Sequence, residues 1–149
     1  MIAVVDASVA LKWQFEDEEA TPAASALLAD FVKGEIELIT LTLFPYEILS
    51  AVNVAVNKGR IGEETGYKAV RYITSLGIDV RSLDDLIHLI FQLARRYRLS
   101  AYDCAYIALA EKEECDLFTG DKKLFNAASK KLSSLKWIGD YPLNRSGSH

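Results

Sequence analysis

The sequence predicts an α/β protein, a three-layer α/β/α sandwich around a short parallel sheet of four to five strands. Three observations carry this. Short apolar runs near residues 2–5, 36–41, 78–81, 116–119 and 136–138 alternate with segments long enough for helices. The first run, Ile2-Ala-Val-Val5, is continuous and rich in β-branched residues, the pattern of a strand covered on both faces. The joins are punctuated, with Gly34, Gly59 and Gly77 as helix stops and Pro22 and Pro45 as helix openers.

The elements follow in order. Ser8 can cap a short helix running through Val9, Ala10, Leu11 and Trp13 to Phe15. The four acids Glu16-Asp-Glu-Glu19 read as a solvated turn. Thr21-Pro22 reads as a cap followed by proline at the first helical position, and Ala26, Leu27 and Phe31 keep a helical period as far as Gly34. Ile36 to Leu41 is a second strand. Pro45 opens a helix with Ile48, Ala51, Val52, Ala55 and Val56 on one face, ended by Gly59. A helix from Glu63 to Leu76 closes at Gly77, and Ile78 to Arg81 is a third strand. Ser82-Leu-Asp-Asp85 has the pattern of a capping box, so a helix should run from there to about Tyr97, with Arg95 and Arg96 at its negative end. Ser100 starts a helix with a small inner face of Ala101, Ala105, Ala108 and Leu109. Asp116 to Thr119 is a fourth strand, turned off by Gly120-Asp121. Lys122 to Lys131 is a short helix, and Lys136 to Ile138 a fifth strand.

At 149 residues, half of them hydrophobic, the chain is long enough for one compact domain with a real core. It carries 17 basic and 21 acidic residues, a formal net charge of -4, which argues against a general nucleic-acid coat protein. An acidic site with local basic patches remains open. The opening has no basic segment before its apolar run, and Asp6 interrupts that run, so it does not read as a signal peptide. No apolar run approaches membrane-spanning length. Cys104 and Cys115 are the only cysteines, at a spacing that matches neither a zinc knuckle nor a redox pair. They read as two buried free thiols of a cytosolic protein. The ending Arg145-Ser-Gly-Ser-His149 reads as an appended expression-tag remnant.

Four carboxylates stand out: Asp6, Glu47, Asp103 and Asp121. Asp6 and Asp121 follow the carboxyl ends of two apolar strands, where open α/β sheets place their ligands. Glu47 and Asp103 each read as lying in the first turn of a helix. Glu47 has the apolar neighbours Phe44, Pro45, Tyr46, Ile48 and Leu49, whereas Asp103 precedes Cys104-Ala-Tyr-Ile-Ala-Leu-Ala110. Taken singly, each acid is better explained by helix capping or by the helix dipole, worth a few tenths to about 1 kcal/mol, although a solvated cap does not explain the apolar neighbours of Glu47. As a set they fit one cavity, where four carboxylates cannot all ionise without a cation. Oxygen ligands with no convergent His or Cys select Mg²⁺ or Mn²⁺ over zinc.

The pieces Val4-Val-Asp6-Ala-Ser8, Pro45-Tyr-Glu47, Ser100-Ala-Tyr-Asp103-Cys-Ala-Tyr-Ile-Ala-Leu-Ala110 and Phe118-Thr-Gly-Asp121-Lys-Lys-Leu together resemble the PIN-domain family, and within it the VapC-type toxin ribonucleases. The resemblance spans nearly the whole chain. It implies a nuclease domain over residues 1–142, and the composition of residues 143–149 reads as a disordered tail, partly the appended remnant. The resemblance further implies Asp6, Glu47, Asp103 and Asp121 as an acidic metal-binding and catalytic quartet, with Thr119 and Ser8 as supporting hydroxyls. The implied activity is Mg²⁺- or Mn²⁺-dependent endoribonuclease cleavage of RNA phosphodiesters by activated water. The implied setting is cytoplasmic, away from membranes, as a homodimeric toxin held by a small cognate antitoxin. One departure is visible: Ser50 stands where the family often has Asn one turn after the glutamate, with Asn53 a turn later.

Two rivals stay open on the residues. A phosphoryl-transfer enzyme using Asp6 as nucleophile would usually want an acid two residues on, where this chain has Ser8. A PIN-like RNA-binding module without cleavage would not need all four acids. Arg95, Arg96, Arg98, Lys122 and Lys123 could hold a phosphate backbone or could simply be solvated. Tyr46 and Phe44 could stack on bases or pack against a partner. His88 reads as a surface or half-buried helix residue, and Trp13 and Trp137 as packing.

Overall fold

The computed structural model describes residues 1–15 and 17–143. The expected tail remnant therefore lies outside the described residues, as does Glu16 of the acidic turn. Five parallel strands form one sheet in the order β3-β2-β1-β4-β5: β1 is Ile2–Val5, β2 Glu37–Leu41, β3 Asp79–Arg81, β4 Asp116–Thr119 and β5 Leu135–Trp137. Each pairing is parallel, so every connection crosses over a face through helices. Those helices are α1 (Ala7–Leu11), α2 (Thr21–Val32), α3 (Leu43–Asn57), α4 (Glu63–Thr74), α5 (Ile87–Tyr97), α6 (Ala101–Lys112) and α7 (Lys122–Ala128). Among the described residues no helix is long and apolar enough to cross a membrane.

The continuous apolar strands are split between two cores by their period of two. Ala3, Val5, Leu38 and Phe118 face α1 to α4 and the C-terminal segment. Val4, Ile39, Leu41 and Leu117 face α5, α6 and α7. This is the expected three-layer sandwich. The chain runs outward from β1 through β2 to β3, then returns to the other side of β1 for β4 and β5. The topological switch point lies between β1 and β4, and Asp6 is the residue that follows β1.

Several element ends differ from the sequence reading. The cap of α1 is Asp6, whose carboxylate accepts from Val9 N, and the helix stops at Leu11 instead of Phe15. Ser8 lies inside that helix. Thr21 is the first helical residue of α2, and its cap is Ala20, held at φ 63° with no side-chain cap bond. Proline is therefore second in the helix, a position that also lacks an intrahelical acceptor for an N–H. Helix α3 begins two residues before Pro45, which puts Glu47 in the second turn. The Ser82 hydroxyl accepts from Asp84 N at 3.2 Å and opens a 3-10 turn over Asp84–Leu86, not α5 directly. Ser100 does cap α6, accepting from Asp103 N at 3.1 Å. That helix has no single inner face: Cys104 to Ala110 are all buried, whereas Ala101 is exposed. A helix wedged between the sheet and α5 is apolar all round. Cys104 is buried as expected, but Cys115 is only partly so.

Candidate active site at the sheet switch point

Asp6 leaves β1 in extended backbone (φ -98°, ψ 174°) and is only 7% exposed. Its Oδ1 accepts from the Ser8 hydroxyl and from Val9 N at 3.3 Å, and its Oδ2 accepts from Thr119 Oγ1 at 2.6 Å. The two hydroxyls are themselves held by the neighbouring loop. Ser8 Oγ accepts from Gly120 N at 2.8 Å, and Thr119 Oγ1 accepts from Asp121 N at 3.1 Å. Asp121 in turn caps α7 by accepting from Leu124 N at 3.1 Å. One network thus stitches the end of β1 to the end of β4. Burial pushes the Asp6 carboxyl up to about 6, against three hydrogen bonds that pull it down, and the charge of Asp103 adds to the rise.

Glu47 reaches the same region from α3. It is half-buried, and its Oε1 accepts from the Tyr106 hydroxyl of α6. Burial raises its pKa, opposed by the Tyr106 bond and reinforced by Asp103. Tyr106 is 3% exposed, and its hydroxyl is held firmly protonated by burial, by the bond to Glu47, and by the charges of Glu47 and Asp6. Thr40 of β2 lies beside that hydroxyl, and its Oγ1 donates to Val5 O at 2.8 Å. Asp103 is half-buried, and burial raises its pKa with help from the charge of Asp121. Asp103 is therefore the hub, the one acid whose charge couples to each of the other three.

The structure thus brings all four acids and both supporting hydroxyls to one end of the sheet. Capping is real for Asp6 and Asp121, and Asp103 lies in a first helical turn. Capping leaves Glu47 unexplained, and it does not account for a buried, destabilised Asp6. Among the described residues none of the four has a cationic side chain within ion-pair distance. Among the same residues no three His, Cys, Asp or Glu side chains are drawn together as a ready-made metal cluster. The donor set nevertheless fits Mg²⁺ or Mn²⁺. Mg²⁺ usually keeps several waters and needs only one or two carboxylates, so it does not require a closed protein cage.

Sequence reasoning missed Tyr106 and Thr40. Tyr106 was legible in principle, because it lies three residues after Asp103 and so shares its helical face. Of the weaker candidates, Arg95, Arg96, Arg98, Lys122, Lys123 and His88 are exposed. Tyr46 is 73% exposed, but Phe44 is buried in the core with Phe15. Trp13 is partly buried and donates to Ala24 O at 2.8 Å, and Trp137 is buried. A cleft of about 560 Å³ that includes Met1 and Asp116 lies at the amino ends of β1 and β4, the opposite edge from the acids. That cleft is therefore not where the acids lie.

A family model described as the PIN domain matches residues 3–131. VapC ribonuclease Mb0985 of Mycobacterium bovis is 31% identical over 121 residues, covering 81% of this chain and 87% of that protein. Ribonuclease VapC3 of Pyrobaculum aerophilum is 29% identical over 126 residues, covering 83% and 92%. Among solved structures, that of PAE2754 from Pyrobaculum aerophilum superposes with a TM-score of 0.68 at 21% identity, over 93% of this chain and 84% of that one. The last likeness speaks to the fold alone. The match over nearly the whole chain and the identity to full-length relatives lead to one conclusion: the chain belongs to the PIN-domain family, among its VapC-type members.

Proposed function

We propose that the chain is a divalent-metal-dependent endoribonuclease. The observation that carries the reading is Asp6, a buried carboxylate at the switch point, raised to about 6 and without a cationic partner among the described residues. Buried carboxylates with perturbed pKa values gather at functional sites, and a bound cation would favour the ionised form of this one. The relatives named as ribonucleases support RNA as the substrate. We assign Asp6, Glu47, Asp103 and Asp121 as the residues that would hold Mg²⁺ or Mn²⁺, directly or through water. A bound ion of this kind polarises a phosphodiester and makes hydroxide available near neutral pH. The chain's own residues do the rest. Ser8 and Thr119 fix both oxygens of Asp6, Tyr106 fixes Glu47, and the Thr119–Asp121 bond sets the turn that carries the fourth acid.

The same hydrogen bonds disfavour Asp6 as a covalent nucleophile, since each of its oxygens already accepts from a hydroxyl. The wider setting we propose is that of a cytoplasmic toxin held inactive by a small cognate antitoxin. We propose also that it works as a homodimer, the commonest closed assembly. Its support in the structure is the apolar surface of α3, where Tyr46, Leu49 and Val54 are all exposed. Pure protein should cleave single-stranded RNA in Mg²⁺ or Mn²⁺, stop on chelation, gain nothing from Zn²⁺, and lose activity in Asp6→Asn. Equal cleavage with and without EDTA would end the metal reading. Absence of any cleavage in the wild type would end the nuclease reading. Sedimentation showing only monomer at micromolar concentration would remove the dimer.

A further inference from the structure

Beside the acids the fold holds two lysines in an arrangement the acid site does not require. Lys12, one residue past α1, is only 5% exposed. Burying a lysine is costly unless its charge is met. Yet Lys12 has no ion-pair or hydrogen-bond partner among the described residues. No buried side-chain nitrogen there lacks a partner either, so the Lys12 ammonium must reach solvent at the end of a buried stem.

The stem runs across Gly120. A Cβ at that position would stand 2.4 Å from Lys12 Cε and 2.9 Å from Ser8 O, so only glycine leaves the channel open. The ammonium emerges 5.7 Å from the centre of the Trp137 ring. Lys122, the exposed first residue of α7, approaches the same ring at 4.4 Å. Trp137 ends β5 and is the register partner of Thr119, so the two residues are neighbours across the β4–β5 pair at the end of the sheet that carries the acids. Two cations from two helical segments are thus gathered on one indole, immediately beside four acids, and neither neutralises an acid.

We propose that Lys12 and Lys122 form an anion subsite for a backbone phosphate of the single-stranded RNA, next to the phosphate being cleaved. This rests on the ribonuclease reading of the acid site. The acids repel a polyanion, so the substrate needs compensating positive charge close by, and these lysines are placed to provide it. Trp137 is too buried to stack on a base. Its part is to fix the ammonium groups through its ring face, so the subsite reads charge and not sequence.

The test uses the full chain and a short fluorescein-labelled single-stranded RNA in EDTA, with anisotropy followed over a range of salt. Lys12→Met keeps the stem across Gly120 and removes the charge, Lys12→Arg keeps the charge, and Lys122→Met serves if Lys12→Met folds poorly. Lys33→Met, beyond α2 at the opposite edge of the sheet, is the control. Each neutral variant at the subsite should flatten the slope of log affinity against log salt by about 0.7, the share of one phosphate on a single strand. That amounts to about a fivefold change per contact for each tenfold change in salt, equal for RNAs of different sequence. Lys12→Arg and Lys33→Met should keep the wild-type slope. Wild-type slopes in Lys12→Met and Lys122→Met, with the wild type still cleaving RNA in Mg²⁺, would overturn the subsite and leave the nuclease standing. A wild type that neither cleaves nor binds RNA would overturn both.

Discussion

Thr119 Oγ1 donates to Asp6 Oδ2 at 2.6 Å across the β1–β4 pair and accepts from Asp121 N at 3.1 Å. One fully buried hydroxyl therefore couples two acids that lie at opposite ends of the sequence. Thr119→Val keeps the shape and removes both bonds. Leaving buried partners unsatisfied should cost about 1–3 kcal/mol of stability. Apparent Mn²⁺ affinity should fall roughly 10- to 100-fold, as when other groups that orient a metal's ligands are lost. Titration calorimetry with Mn²⁺ checks this, and an unchanged affinity would make Thr119 a spectator.

Tyr106→Phe removes the hydroxyl that donates to Glu47 while filling the same buried space. Glu47 would then be half-buried and free to turn. Activity at low Mg²⁺ should fall roughly tenfold or more, with much of the loss recovered at high Mg²⁺, because the defect lies in placing a ligand. Tyr106→Leu would lose packing as well, so only the phenylalanine variant is informative. A loss that stays the same at every Mg²⁺ concentration would refute a positioning role.

The strands and the acids were legible because both rest on local chemistry. A continuous β-branched run such as Ile2–Val5 forms a buried strand, and an acid after it lies at the ligand edge by topology alone. Asp116–Thr119 begins and ends where the sequence places it. Helix starts were less legible, since they depend on one dihedral angle. Ala20 at φ 63° caps α2 although Thr21 is the better cap residue, and Asp6 takes the cap that Ser8 could have taken. Ser8 instead turns its hydroxyl to Asp6 and Gly120, a choice set by the β4 loop that no local pattern announces. Lys12 was invisible, and Tyr106 easy to pass over, for the same reason. A lysine reads as solvated and a tyrosine as core until the sheet order puts Trp137 beside Thr119 and Glu47 opposite α6.

Gly120→Ala tests the close approach of α1 to the β4 loop. The added Cβ meets Lys12 Cε, which can swing away, and Ser8 O, which is backbone and cannot. Overpacking of this kind costs about 1–3 kcal/mol. The denaturant midpoint should fall accordingly, and RNA affinity should fall with it as the Lys12 stem is displaced. A midpoint equal to the wild type would mean that the two segments are not in contact as described.

The cluster itself can be tested through the pH dependence of stability. In metal-free protein the Asp6 carboxyl is raised from 3.8 to about 6, chiefly by burial. A group raised on folding binds its proton more tightly in the folded chain. Its stabilisation is complete below the unfolded value and is lost as pH rises through the folded one. The loss should therefore fall between about pH 4 and pH 6, with Glu47 and Asp103 shifted in the same direction. At about 1.4 kcal/mol per unit, Asp6 alone accounts for roughly 3 kcal/mol. Asp6→Asn carries no charge, and Asn caps a helix about as well as Asp, so α1 keeps its start. The variant should show a much flatter profile over that window and should exceed metal-free wild type in melting temperature near neutral pH. Mn²⁺ at a hundred times its dissociation constant should restore about 2.7 kcal/mol to the wild type and little to the variant. The measurement is a set of melting curves for both proteins from mildly acidic to neutral pH, with and without Mn²⁺. If the two profiles run parallel and Mn²⁺ shifts both alike, Asp6 is only the cap of α1 and the metal site lies elsewhere.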